Sequence, residues 1–292
     1  MSVRLLDAVA AIPGRIAFQG ALGAFSHAAC QACFPGREVL PCASFEAAFA
    51  AVREGDAGLA VIPIDNSQAG RVADVHHLLP HSGLNIVGEH FLRVRLNLLG
   101  LRGAKLADIE AVHTHIHALG QCRDFLRRHG LTPKVAGDTA GAAEEVAAWG
   151  DPAQGAIAST LAAEIHGLDV LVRDVEDARH NTTRFLIFTH AALRPPQGDG
   201  ETIASFLFQV RNVPAALYKA LGGFATNGVN MIKLESYIDP GFQQARFYAD
   251  ILGHPDDAGV RRALDELRFF SHDVQLFGVY PASPLRRTLG VD

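Results

Sequence analysis

Apolar positions between Arg15 and about His190 fall into two alternating patterns. Short runs rich in branched and aromatic residues, RIAFQG, EVLPCA, GLAVIPI, EAVHTH, PKVAG, GAIAS and RFLIF, predict strands. Between them, SFEAAFAAVREG, VADVHHLLPHSG, ALGQCRDFLRRHG and TAGAAEEVAAWG place their apolar residues on one helical face. These stretches end at a glycine suited to a helix C-cap, and Ser44 and Thr139 stand where N-caps are expected. Strand and helix in alternation predict an α/β fold with mainly parallel strands. The Pro- and Gly-rich stretch 194–200 then predicts a linker. Beyond it the order is strand, helix, strand, strand, helix, strand, from TIASFLFQV to DVQLFGVY, a ferredoxin-like βαββαβ pattern. The expected domains are therefore 15–193 and 201–281, with 282–292 as a surface tail.

Composition narrows the function. With 292 residues, 49% of them hydrophobic, the chain can bury two domain cores. Lys plus Arg number 26 against 31 Asp plus Glu, so no basic excess exists to neutralise a phosphate backbone, and nucleic acid is not an expected partner. Charges or Gly interrupt every apolar run before the roughly 18 residues a membrane helix needs. Asp7 interrupts the opening MSVRLLDAVAAIPG, which is too short for a signal peptide, so a cytoplasmic protein is expected, with no membrane partner. Cys30 and Cys33 form a C-x-x-C without a second pair, inside apolar residues at helical spacing, and are expected to be reduced and packed. His113, His115 and His117 would share one face of a strand and suggest a metal site. No Asp or Glu accompanies them, so the expectation is one imidazole in a cleft and the others packed or solvated. Neither a metal site nor a dinucleotide fingerprint is expected, and therefore no cofactor.

Four segments carry a resemblance. They are NTTRF at 181–185 preceded by VED, IAFQGALGAFSHAA at the first strand and turn, VIPIDNSQAGRVADVHHLL around Asp65, Asn66, Ser67 and Gly70, and VHTHIHALGQC ending at Gln121 and Cys122. In order and spacing they resemble the prephenate dehydratase family, and the second part of the chain resembles its regulatory ACT domain. The resemblance implies a two-lobed, periplasmic-binding-protein-like α/β catalytic part with the site in its cleft. One lobe would run from Arg15 to about Glu89 and be completed by 174–190. The implied activity is loss of carbon dioxide and water from prephenate, giving phenylpyruvate for L-phenylalanine synthesis. Thr183, Asn66, Gln121 and Ser67 are the implied catalytic residues, with Arg184, Asn181, His115 and Thr139 on the substrate. L-phenylalanine would be sensed at an ACT interface through Ala216, Leu217, Asn230, Met231, Glu235 and Ser236, in a homodimer or homotetramer.

The expensive event in that reaction is departure of a tertiary ring hydroxyl, which leaves as hydroxide unless a donor meets it. Thr183 is the expected donor, with further hydrogen bonds from Asn66 and Gln121. Ser67 would donate as well, or cap the following helix, and Asn66 has an alternative role in an Asx-turn toward Gly70. Negative charge leaves the ring carboxylate during decarboxylation, so a cation held there would favour the ground state. Arg184 is therefore expected on the pyruvyl carboxylate. The chain departs from the family pattern at Asp65 for Glu, at Ala215 for Gly, and at Tyr237 and Ile238 for Arg-Pro, which predicts an altered effector response. Two other readings stand beside this one. An arogenate dehydratase would need Asp65 or Asp138 near the substrate ammonium, and a non-enzymatic amino-acid sensor would need no chemistry at all.

Overall fold

The computed structural model describes residues 3–178, 180–211, 213–238 and 245–288. Helix α1 (Val3–Ala10) buries Leu5 and Val9 against the first lobe. That lobe continues with β1 (Arg15–Gln19), α2 (Phe25–Cys33), β2 (Val39–Cys42), α3 (Phe45–Glu54), β3 (Ala57–Asn66), β4 (Gly70–Arg71), α4 (Ala73–Leu78) and β5 (Asn85–Arg93). The second lobe contains β6 (Asn97–Gly100), β7 (Ala111–His115), α5 (Ile116–Gln121), α6 (Arg123–His129), β8 (Thr132–Ala136), α7 (Thr139–Trp149), β9 (Gln154–Ala158), α8 (Thr160–His166) and β10 (Asp169–Val172). The chain then returns to the first lobe as β11 (Thr182–Thr189). The last unit is β12 (Thr202–Val210), α9 (Ala216–Thr226), β13 (Met231–Ile238), β14 (Ala245–Leu252), α10 (Ala258–Phe270) and β15 (Ser271–Pro281).

Three sheets result, in the orders β2-β1-β3-β11-β5, β10-β6-β9-β7-β8 and β13-β14-β12-β15, with β4 paired to β3. The last is antiparallel and has the predicted βαββαβ connection. The first two are mixed, which corrects the expectation of mainly parallel strands. β11 returns from the second lobe and runs antiparallel to both β3 and β5, and β6 runs antiparallel to β9 and β10.

Local signals explain most boundaries. Ser44 Oγ accepts from Ala47 N at 3.2 Å, and Gly55, Gly130 and Gly150 take the left-handed C-cap conformation. Asp138, not Thr139, caps α7: its carboxylate accepts from Gly141 N at 2.7 Å, where a negative charge also suits the helix N-terminus, and Thr139 becomes the first helical residue. ALGQCRDFLRRHG is two helices rather than one, broken where Cys122 leaves helical backbone angles. All four thiols are free; burial pushes Cys33 up to about 12 and Cys30 higher still, so the C-x-x-C is packed and un-ionised on α2.

Two close approaches lock the units together. Gly23, at φ +91°, lies so near Ala162 that a Cβ would meet its backbone at 2.8 Å, and Ser159 Oγ donates to Gly23 O at 2.6 Å, joining the lobes. A Cβ at Gly278 would run into the carbonyl of Ile86, so β15 lies directly on β5. The tail is not a loose surface extension as far as Thr288: Ser283 N and the Arg286 guanidinium both bond the buried carboxylate of Glu89.

Candidate active site

The strands β3 and β11 pair with Thr183 opposite Asn66 and Arg184 opposite Asp65. A β-bulge between Arg184 and Phe185 sets this phase, because Phe185 is opposite Pro63 and Ile64 becomes the extra residue. Pro63 has no N–H to give a ladder, so the bulge falls at a proline. Strict alternation from Ile62 would have put Asn66 on the face of Arg184; the extra residue turns it to the face of Thr183.

On that face a chain of neutral hydrogen bonds forms. Asn66 Nδ2 donates to Thr183 Oγ1 at 2.9 Å and to Asn181 Oδ1 at 2.7 Å, and Asn181 Nδ2 donates to Gln121 Oε1 at 2.8 Å. The orientation of the Asn66 amide is fixed by its other end, since Oδ1 accepts from Gln68 N at 2.9 Å and Ala69 N at 2.8 Å. Asn66 Oδ1 thus closes the expected turn, on Gln68 and Ala69 rather than on Gly70, while both Nδ2 hydrogens go to Thr183 and Asn181. Thr183 is 8% exposed, and its oxygen accepts in this bond, so the hydroxyl hydrogen remains to be given elsewhere. Gln121, at the end of α5, comes from the opposite lobe. The pocket beside this contact is lined by Gln68, Gln121, Glu176, Asp177 and Asn181, among others.

Other expected residues are placed differently. Ser67 Oγ donates to His180 O at 2.6 Å and accepts from Thr182 N at 2.9 Å, so it clamps the start of β11 and neither caps a helix nor points its hydrogen at a substrate. His115 is the N-cap of α5, half-buried at the carboxyl end of β7; burial and then His117 lower its pKa against the pull of Asp138. His117 belongs to α5 rather than to β7, and His113 bonds Gln154 Oε1 at 2.8 Å, so the three imidazoles do not share a strand face. Among the described residues no group of three or more His, Cys, Asp or Glu is placed to hold a metal ion. Thr139 lies at the start of α7, after the carboxyl end of β8.

Arg184 is not brought to the cleft. Its Nε donates to Glu89 at 2.8 Å, Nη1 to Asp250 at 2.6 Å and Nη2 to the Tyr280 hydroxyl at 2.9 Å, on the face opposite Thr183. Successive strand residues point to opposite faces, so a cleft-facing Thr183 turns its neighbour away. The expected grip on a substrate carboxylate is withdrawn, because all three guanidinium nitrogens are committed. Burial alone would lower the Arg184 pKa, but Asp250 foremost, with the neighbouring Tyr and Glu89 oxygens, holds it well above its ordinary value. Burial likewise pushes the Asp250 carboxyl up, and Arg184 with Ser205 brings it below the ordinary range. Asp250, Glu89, Ser205 and Tyr280 escaped the sequence reading. An Asp inside the strand ARFYADIL was the available signal, because a buried strand carboxylate requires a partner.

The expected effector residues do not form one group within a chain. Ala216 and Leu217 open α9 at the end where β12 finishes, whereas Asn230 and Met231 lie at the level of Ile203 and Ala204, where β12 begins. Glu235 and Ser236 face the catalytic lobe through Arg71, which donates to Ser236 O at 3.0 Å and lies 3.5 Å from Glu235. At the position of the missing arginine, Tyr237 shares a 2.7 Å hydrogen bond with His76 Nδ1 and lies beneath the Arg71 guanidinium. The side chain of Ile238 lies outside the described residues.

With this geometry in place, likeness to known proteins assigns the chain. The family model described as prephenate dehydratase matches residues 16–192. A bifunctional N-acyl-homoserine lactone acylase/prephenate dehydratase of Komagataeibacter europaeus is 53% identical, over 93% of this chain and 97% of its own length. An arogenate dehydratase/prephenate dehydratase of Arabidopsis thaliana is 37% identical, over 93% of this chain and 73% of its own. The crystal structure of prephenate dehydratase from Arthrobacter aurescens in complex with L-Phe aligns with a TM-score of 0.82 at 29% identity, covering 92% of this chain and 90% of that one. The chain therefore belongs to the prephenate dehydratase family and is a lyase of the dehydratase type.

Proposed function

We propose that the chain converts prephenate to phenylpyruvate and that its C-terminal ACT-like unit responds to L-phenylalanine. In this reaction the bond from the ring to its carboxylate breaks, the electron pair enters the ring, and the carbon–oxygen bond to the ring hydroxyl breaks. The departing oxygen takes a proton and leaves as water. The observation that carries the reading is the direction of the Thr183–Asn66 hydrogen bond, which leaves the threonine hydrogen to meet that oxygen. A threonine hydroxyl is a weak acid, so its proton moves in concert with bond breaking or is replenished by a neighbour. Thr183, Asn66, Asn181 and Gln121 are all neutral. None of these four is a cation, so none stabilises the ring carboxylate whose charge must leave, which favours the decarboxylating transition state over the ground state.

The arogenate reading draws support from the Arabidopsis relative's name. Asp65 bonds Lys233 and Asp138 caps α7, and neither lines the pocket beside Gln121; Asp177 does, with Oδ1 accepting from Asp124 N at 3.1 Å, and is the carboxylate to test. Parallel assays on prephenate and arogenate decide between them. The expected result is a preference for prephenate, little changed in Asp177→Asn; a tenfold preference for arogenate that Asp177→Asn abolishes would overturn it. Binding of phenylalanine without turnover of either substrate would establish the sensor reading instead. An N-acyl-homoserine lactone in the same assay shows whether the second activity named for the Komagataeibacter relative extends to this chain.

For the effector, the separation of Ala216 and Leu217 from Asn230 and Met231 means that a pocket using all six expected residues takes a second copy of the chain. Calorimetry with L-phenylalanine alongside sedimentation tests this; saturable binding by a monomer would contradict it.

A further inference from the structure

The face of the β3–β11 pair opposite Thr183 carries an ionic network that the proposed chemistry does not use. Asp65 Oδ1 bonds Lys233 Nζ of β13 at 2.6 Å, and Asp65 Oδ2 lies 3.7 Å from Arg184. Arg184 bonds Asp250 of β14 and Glu89 of β5, and Glu89 also holds Arg286. Lys233, Arg184 and Arg286 thus meet Asp65, Asp250 and Glu89, and the side chains of Asp250 and Glu89 are fully buried. Apolar packing would join two domains at least as firmly, because buried ions lose much of their attraction to desolvation. What ion pairs add is a demand for one relative position.

Two members of the network immediately adjoin the candidate catalytic groups. Asp65 precedes Asn66 at the end of β3, and Arg184 follows Thr183 in β11. We propose that Lys233 and Asp250 of the ACT-like sheet are positioning residues for the reaction, holding Asn66 and Thr183 in register by gripping Asp65 and Arg184 from behind. The Asn66–Thr183 bond of 2.9 Å lies across the two strands, so a shift of either strand by a few tenths of an ångström disturbs it directly. The same connection gives the C-terminal unit a route to the site, since Lys233 also bonds Glu235, one of the expected effector residues, at 3.2 Å.

This inference rests on the dehydratase reading, and Lys233 is the residue to test because removing Arg184 or Asp250 threatens the fold. Lys233→Met, Lys233→Arg and Asp65→Asn are compared with wild type on whichever of prephenate and arogenate the wild type turns over. Lys233→Met is expected to lower kcat by about tenfold with KM changed less than about twofold. Lys233→Arg should recover most of that loss, and Asp65→Asn combined with Lys233→Met should be no worse than the poorer single variant. Hydrogen exchange of the peptide covering 181–185 should quicken in Lys233→Met with the melting temperature nearly unchanged. A folded Lys233→Met with wild-type kcat and wild-type exchange overturns the positioning role, as does a kcat loss that tracks melting temperature and that arginine does not rescue. Should Lys233→Met fail to fold, Lys233→Gln takes its place under the same criteria. A wild type inactive on both substrates defeats the dehydratase reading itself, and the exchange experiment then decides the positioning role alone.

Discussion

The two faces of one strand pair, β3 with β11, do opposite kinds of work. Toward the cleft, Thr183, Asn66, Asn181 and Gln121 make a chain of neutral hydrogen bonds that spans the lobes. Toward the ACT-like sheet, Asp65 and Arg184 join a buried network of full charges. A single residue step separates the two in each strand. The neutral face suits a transition state in which charge must leave the substrate, and the charged face suits a contact that must hold one geometry. The alternation of a strand keeps Arg184 and Asp65 one residue from Thr183 and Asn66 while turning them to the other face.

The largest expected effect separates the faces by what each loses. Arg184→Met leaves Asp250 and Glu89 buried without their shared cation and should destabilise the fold by about 3–5 kcal/mol, read as a drop in the denaturant midpoint. A stability loss under about 1 kcal/mol would show that the charged face is not a structural junction. Asn66→Asp keeps the turn-forming oxygen but replaces the donor to Thr183 with an acceptor. It should lower kcat by roughly a hundredfold, about 2.7 kcal/mol, with little loss of stability. The reverse pattern, a stability loss with activity kept, would exchange the roles assigned to the two faces.

A smaller effect follows from His76, which is 2% exposed and packed beneath Tyr237 at the same domain contact. Burial foremost, then Lys233, lowers its pKa to about 4 from 6.5, despite the opposing pull of Glu235. The folded state therefore binds fewer protons than the unfolded state between these values. Its contribution is complete above about pH 6.5 and is lost as pH falls toward 4. At pH 5 the loss should be on the order of 2 kcal/mol relative to pH 7, and His76→Gln should flatten it. Asp250, with its lowered pKa, acts in a different window: its contribution is present above its unfolded value of 3.8 and disappears only at more acid pH. Melting temperatures at pH 7 and 5 for wild type and His76→Gln check the assignment; equal slopes would remove His76 from it.

The smallest effect lies farthest from the strand pair. Ala215, where the family pattern has Gly, sits at φ +62°, a left-handed conformation that costs a residue with a Cβ about 1 kcal/mol. Ala215→Gly should raise stability by up to that amount without changing kcat, and a loss of stability would mean that unfolded-state entropy outweighs the relieved strain.

How much of this was legible in the sequence depended on whether the signal was local. The βαββαβ order, the caps at Ser44 and Gly150 and the candidacy of Thr183 and Asn66 all lay in short patterns, and the structure has Asn66 bonded to Thr183. The mixed direction of the first two sheets was not legible, because β11 is separated from its partners by the whole second lobe. Arg184 was misplaced for a simpler reason. Its guanidinium suggested a carboxylate ligand, and period-2 alternation beside a cleft-facing Thr183 already pointed it the other way. Its actual partner Asp250 is 66 residues distant, beyond any local pattern. Pro63 hinted at the bulge that turns Asn66 toward Thr183, but only pairing with β11 reveals which residue is extra.

The most direct test of the central claim, that the neutral face performs the chemistry through Thr183, is the prephenate kcat of Thr183→Val, a nearly isosteric change that removes only the hydroxyl. The expected result is a fall of about a hundredfold or more at an unchanged melting temperature, with Thr183→Ser retaining measurable turnover. A folded Thr183→Val enzyme with kcat close to wild type would contradict it.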